Sequence, residues 1–119
     1  PGEAGRLLQI SAADVQADRC SALRNLADKF SGVMVLKGAG TLIAHHGVER
    51  INLTGNAGMA KGGSGDVLAG LIASLMAQGH TTINAATDGS LAHTTAAMKV
   101  DTNSYALTPN DLIEAITTL

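Results

Sequence analysis

An α/β fold is what this sequence predicts, on three observations. A continuous apolar run, Val33-Met34-Val35-Leu36, has the pattern of a strand buried on both faces. Leu42-Ile43-Ala44-His45 and Val48-Glu49-Arg50-Ile51-Asn52 read as two further strands around a tight turn at His46-Gly47. A glycine-rich turn over residues 55–66 then feeds straight into an apolar stripe of helical spacing, Val67, Leu68, Leu71, Ile72, Leu75 and Met76.

The other elements follow in chain order. Pro1-Gly2-Glu3-Ala4-Gly5-Arg6-Leu7-Leu8 reads as a turn into a short helix. Ser11-Ala12-Ala13-Asp14 has the form of a capping box, with Asp in place of the longer Glu. A helix over 18–30 carries Ala22, Leu23, Leu26, Ala27 and Phe30 on one face, and Gly32 ends it. Lys37-Gly38-Ala39-Gly40-Thr41 is a loop. Gly79 stops the helix that starts after the glycine turn. An alanine-rich helix over 83–100 follows. Thr108, Pro109 and Asp111, as N-cap, N1 and N3, open a last helix to about Thr118. Only one strand in this inventory is of the buried parallel type, and parallel strands need crossovers and cover on both faces. The 33–36 run is therefore expected to pair with strands outside this chain.

The 119 residues, 45% of them hydrophobic, with net charge −2, describe one soluble globular unit. There is no basic stripe to neutralise a nucleic-acid backbone. No apolar run approaches a membrane span, and no signal peptide is visible. A lone Cys20 gives no disulfide framework and is expected to be a packed thiol in a reducing compartment, so the expected location is cytoplasmic. The first residue is Pro1, so the chain reads as the second part of something longer, or as a processed product.

The chemistry concentrates in the glycine turn. A helix start leaves backbone N–H groups without partners, and its dipole favours negative charge. Glycines let a phosphate come close to those groups. Asp66 is the anomaly, because a carboxylate there is repelled by phosphate unless a metal bridges the two or it takes a proton. The P-loop pattern fails, since Lys61 precedes the glycines, and the dinucleotide fingerprint needs a glycine where Leu68 stands. Ser64 does not sit in a nucleophile elbow and reads as a hydrogen-bond donor to phosphate. The plainer alternative is a turn that merely admits a tightly packed helix. Lys37 stands at the carboxyl end of the apolar run, where open α/β sheets place their ligands. With Gly38, Ala39, Gly40 and Thr41 it offers a cation, flexible backbone and a hydroxyl for a nucleotide phosphate or ribose. His45, His46, His80 and His93 lack helical zinc spacing and read as non-ligands. Met34, Met59, Met76 and Met98 read as core or gap filling.

Pro1-Gly2-Glu3-Ala4-Gly5-Arg6-Leu7-Leu8, Val35-Leu36-Lys37-Gly38-Ala39-Gly40-Thr41, Gly55-Asn56-Ala57-Gly58-Met59-Ala60 and Gly62-Gly63-Ser64-Gly65-Asp66-Val67-Leu68-Ala69-Gly70 occur in this order, followed by Ala92-His93 and Asp111-Leu112-Ile113. Together they resemble the ADP/ATP-dependent NAD(P)H-hydrate dehydratases of the ribokinase-like superfamily. The resemblance runs over nearly the whole chain. It departs at Thr94, where the family more often has Gly, and in the absence of the His that usually precedes Pro-Gly-Glu.

The resemblance implies that residues 1–119 are the C-terminal portion of a three-layer α/β/α domain with a mostly parallel sheet. The implied activity is dehydration of hydrated NADH or NADPH, using ATP or ADP and Mg²⁺, through a phosphate ester of the ring hydroxyl. In that picture Asp66 is the general base and touches substrate together with Asn56. Gly63, Ser64 and Gly65 hold the transferring phosphoryl group. Lys37, Gly38, Ala39, Gly40 and Thr41 hold the nucleotide, and Glu3 positions Mg²⁺ through water. The implied partners are the hydrated dinucleotide, the N-terminal half of the domain and further copies of the protein. The rival readings are a ribokinase-like vitamin-precursor kinase and an inactive nucleotide-binding fragment.

Overall fold

The computed structural model describes residues 1–101, 103 and 105–119, which form two compact units, residues 1–52 and 53–119. In the first unit, α1 (Gly2–Leu8), α2 (Ala12–Ala17) and α3 (Arg19–Lys29) precede a hairpin sheet of β1 (Met34–Leu36), β2 (Thr41–His45) and β3 (Val48–Asn52). The capping box at Ser11 is present: its hydroxyl accepts from the Asp14 amide at 3.0 Å, and the Asp14 carboxylate accepts from the Ser11 amide at 3.2 Å. Asp18 caps α3 with its carboxylate, which accepts from the Ser21 amide at 2.9 Å and from the Ser21 hydroxyl at 2.7 Å.

Ala22, Leu23 and Leu26 of α3 are buried against Leu36 of β1 and Leu42 and Ala44 of β2, with Ala27, Phe30 and Met34 packed around them. This is the apolar face read from the helix periodicity. Burying one such leucine is worth about 1.5–3 kcal/mol, so this face holds α3 on the sheet.

Within this chain the sheet is antiparallel, not parallel as the apolar run suggested, and that run lies at its edge. All pairing is antiparallel, in the order β1-β2-β3, with Val35 opposite Ile43 and Ile43 opposite Arg50. The cause is loop length. Residues 37–40 cannot contain the crossover that a parallel partner requires, so β1 folds back on β2. The strand buried on both faces is β2, not the 33–36 run. Leu42 and Ala44 face α3, and Ile43, pointing the other way, is 1% exposed. In β1 only Leu36 is buried, while Met34 and Val35 are half-buried at the sheet edge. The two-residue turn at His46 and Gly47 is as read, with both residues at positive φ.

The second unit contains α4 (Ser64–Ala77), α5 (Thr82–Lys99) and α6 (Pro109–Ile116), preceded by one 3₁₀ turn, Ala57–Met59. Small residues let α4 and α5 approach closely: a Cβ at Gly89 of α5 would lie 2.8 Å from Ile72 Cγ1 of α4. Ala97 of α5, Leu107 and Leu112 of α6 form a buried cluster with Met59, Val67 and Val100 around it. The Thr108 capping box opens α6, with Pro109 at its first position.

The α4 stripe is only partly covered. Leu68 is buried, Leu71, Ile72 and Leu75 are half-buried and Met76 is exposed. Helical spacing marks which face is apolar, but not what lies against it. Two further expectations are corrected. Met76 and Met98 are exposed rather than core-filling, whereas Met34 and Met59 do pack on the two clusters. Cys20 is an exposed thiol, because α3 turns Ala22 and Leu23 inward and leaves its first turn to solvent.

Candidate functional site

The predicted site residues fall into two groups, one in each unit. In residues 1–52 the group is Glu3, Lys37, Gly38, Ala39, Gly40 and Thr41. Glu3 lies in the first turn of α1. Its carboxylate stands 3.6 Å from the Lys37 ammonium at the end of β1, with both side chains largely exposed. They border a cleft of about 460 Å³ lined also by Arg6 and by apolar groups including Leu7, Leu26 and Met34. The loop needs its glycines. Gly38 has φ +148° and Gly40 φ +68°, a region that side-chain-bearing residues rarely enter. Thr41, assigned to the loop from sequence, is the first residue of β2, and its hydroxyl donates to the Gly38 carbonyl at 3.4 Å.

A residue that sequence reasoning missed supports this loop. Arg19, at the start of α3, donates from Nη2 to the Leu36 carbonyl at 3.1 Å and from Nη1 to the Ala39 carbonyl. Nothing in the local sequence marks it, since an arginine in a first helical turn ordinarily faces water.

In residues 53–119 the group is Asn56, Gly63, Ser64, Gly65 and Asp66. Gly63 is the N-cap of α4, at φ 87° and ψ −22°, with no side-chain cap. A Cβ on it would meet Pro109 Cγ at 2.8 Å, so both conformation and packing demand glycine. The Asp66 and Val67 amides turn back to the Gly63 carbonyl at 3.1 Å, and the Ser64 amide to the Lys61 carbonyl at 3.3 Å. The Gly65 amide has no backbone acceptor among the described residues. Asp66, at the third helical position, is exposed. An open amide and an accessible carboxylate thus share one helical turn.

Neighbours hold this turn. Lys61 donates to the Tyr105 carbonyl, and its charge helps to lower the pKa of Asp111. The larger causes of that lowering are the hydrogen bonds Asp111 accepts from the Thr108 side chain and backbone. Ser64 is not turned to solvent. It is buried, and its hydroxyl lies 3.3 Å from Nε2 of buried His93 on α5. Neither the hydroxyl nor the amide of Ser64, the latter bonded to the Lys61 carbonyl, is turned outward. The signal for His93 was its place in the Ala92-His93 pair of the resemblance.

Asn56 is anchored at one end. Its Nδ2 donates to the Ala97 carbonyl at 3.0 Å, while its Oδ1 is buried with no partner among the described residues. Thr94 shares a 2.6 Å hydrogen bond with Thr54. Its Cγ2 would lie 3.5 Å from a Cβ on Gly55 (φ +131°), so it packs against the segment leading to Asn56.

Comparison with known proteins gives a consistent result. A family model described as NAD(P)H-hydrate dehydratase matches residues 1–118. The chain is 46% identical over 110 residues to a bifunctional NAD(P)H-hydrate repair enzyme of Helicobacter pylori, covering 92% of this chain and 23% of that protein. It is 49% identical over 98 residues to an ADP-dependent (S)-NAD(P)H-hydrate dehydratase of Neisseria meningitidis, covering 82% and 33%. Among solved structures it matches the ADP/ATP-dependent NAD(P)H-hydrate dehydratase of Bacillus subtilis, co-crystallised with ATP and Mg²⁺. The TM-score is 0.93 at 28% identity, covering 99% of this chain and 44% of that one. The chain therefore spans a third or less of these two curated relatives and under half of the solved protein.

Proposed function

The chain belongs to the NAD(P)H-hydrate dehydratase family, and on that premise we propose that it contributes to ATP- or ADP-dependent dehydration of hydrated NADH and NADPH. We place it as the C-terminal portion of a ribokinase-like three-layer domain. The parallel strands of that domain belong to its N-terminal half, and activity requires contact with that half. The working protein is then a homo-oligomer of complete domains, acting in the cytoplasm. No helix among the described residues is long and apolar enough to cross a membrane.

The observation that carries this reading is the start of α4, where the open Gly65 amide and the exposed Asp66 carboxylate lie within one turn. Hydroxide is a poor leaving group and phosphate a good one. Asp66 takes the proton of the ring hydroxyl as that oxygen attacks the terminal phosphorus of the nucleotide, and the bridging P–O bond breaks to release ADP from ATP, or AMP from ADP. The Gly63 and Gly65 amides stabilise charge on the transferring phosphoryl group, and Ser64, its amide held by the Lys61 carbonyl, fixes the turn between them. The ester's C–O bond then breaks, phosphate leaves with the oxygen, and loss of a ring proton restores the reduced nicotinamide. Lys37, Gly38, Ala39, Gly40 and Thr41 bind the nucleotide, and Asn56 offers its Oδ1 to the hydrated ring.

The described residues hold no cluster of three His, Cys, Asp or Glu side chains that would cage a metal. This fits a Mg²⁺ that arrives on the nucleotide and keeps phosphate and water ligands. Exposed Glu3 is suited to an outer contact through water. Bound there, Mg²⁺ supplies charge neutralisation on the phosphate oxygens.

The test is product analysis with hydrated NADH, ATP and Mg²⁺ on the full-length protein. The proposal expects near-ultraviolet absorbance of NADH to return in step with released phosphate. A small-molecule kinase would consume ATP on a vitamin-precursor alcohol and leave a stable phosphate ester. A fragment that only binds nucleotide would turn over neither substrate. Either of those results rejects the dehydratase reading.

A further inference from the structure

We propose that Arg19 is a positioning residue for the nucleotide loop, turning the carbonyls of Leu36, just before it, and of Ala39, within it, away from the ligand and placing an unneutralised positive charge beneath it. The proposal rests on reading residues 37–41 as the nucleotide loop. Arg19 lies 17 residues from Leu36 and 20 from Ala39, so its two hydrogen bonds are tertiary contacts that fix the loop on α3. The planar guanidinium fork suits two carbonyls, one at the end of β1 and one inside the loop, which a single ammonium serves less well together. Those carbonyl oxygens would repel a phosphate if they faced it, and Arg19 holds them on the helix side.

Gly38 belongs to the same arrangement. A Cβ there would lie 2.9 Å from Arg19 Nη2 and 3.2 Å from Cζ, so the guanidinium lies directly against the Gly38 backbone. The charge has no counter-ion: no carboxylate lies within ion-pair distance of Arg19 among the described residues. The adjacent Asp18 is engaged in capping α3 through the amide and hydroxyl of Ser21. A cation whose only partners are neutral carbonyls keeps its field for an anion on the far side of the loop.

The test compares Arg19→Met, Arg19→Lys and Lys37→Ala in the full-length protein. ATP affinity is read by displacement of a fluorescent ATP analogue, and KM is measured separately for ATP and hydrated NADH. Arg19→Met is expected to weaken ATP about tenfold or more, the scale of losing charged hydrogen bonds, with KM for hydrated NADH within about twofold. Arg19→Lys, keeping charge without the fork, is expected to recover part of that loss. A folded Arg19→Met variant with unchanged ATP affinity overturns the proposal. So does an equal weakening of both substrates, which is the signature of general damage. If Arg19→Met does not fold, the ATP-selective weakening of Arg19→Lys decides by the same criterion. Unchanged ATP affinity in Lys37→Ala as well would reject the loop reading itself, whereas a loss confined to Lys37→Ala rejects only the role of Arg19.

Discussion

Asp66→Asn is expected to lower turnover by about a hundredfold or more, the usual scale for losing a general base, while ATP affinity stays within about tenfold. The substitution keeps the shape of the side chain and removes its ability to take a proton. The fold gives little reason for a structural effect. Asp66 is exposed, and its own amide is already bonded to the Gly63 carbonyl at 3.1 Å. The carboxylate is not the cap of α4, since the N-cap is a glycine with no side-chain bond. On the proposed reading ATP binding should persist, because the backbone of the turn is unchanged and removing a negative charge beside the proposed phosphate site lessens repulsion. Steady-state turnover and the ATP-induced rise in Tm, measured on the same preparation, separate the two effects. Near-normal turnover in Asp66→Asn would remove this residue from the mechanism.

Gly63→Val is expected to abolish both turnover and the ATP-induced thermal shift. A β-branched residue held at φ 87° costs about 1–3 kcal/mol in backbone strain alone. Its Cβ would also stand 2.8 Å from Pro109 Cγ, so α6 or the turn must move. Either adjustment displaces the Gly65 amide and Asp66 together. From sequence alone, Gly65→Val is expected to weaken ATP binding, because a β-branched side chain obstructs the backbone approach and disfavours any positive φ there. In the structure Gly65 is not at positive φ but inside the first turn of α4, and the left-handed residue is Gly63. Gly65→Val therefore acts only by crowding the amide and should have the milder effect. Circular dichroism establishes which variants remain folded. An unchanged ATP shift in folded Gly63→Val would make the turn purely structural.

Features set by neighbours in sequence were legible in the chain. The capping boxes at Ser11 and Thr108 and the two-residue turn at His46 and Gly47 are each fixed within four residues. The start of α4 after the glycine turn was legible for the same reason. Features set across the fold were not. The apolar run before Lys37 looked like a parallel strand because composition reports burial, not direction. Its antiparallel pairing follows from the short connection to Thr41. The stripe on α4 marked an apolar face without showing how much of it is covered. Ser64 looked free to meet phosphate, but its hydroxyl faces His93, 29 residues away. Arg19 carries no local signal, and its role emerges only once α3 is packed on the hairpin.

The central claim is that the ring hydroxyl leaves as part of a phosphate ester. Hydrated NADH carrying heavy oxygen in that hydroxyl tests this directly, with mass analysis of the phosphate released by the full-length protein in ordinary water with ATP and Mg²⁺. The account predicts one labelled oxygen in each phosphate released per NADH regenerated, because the C–O bond breaks after the P–O bond has formed. Unlabelled phosphate, with the heavy oxygen lost to water, would mean that the hydroxyl departs without being phosphorylated, and would contradict the account.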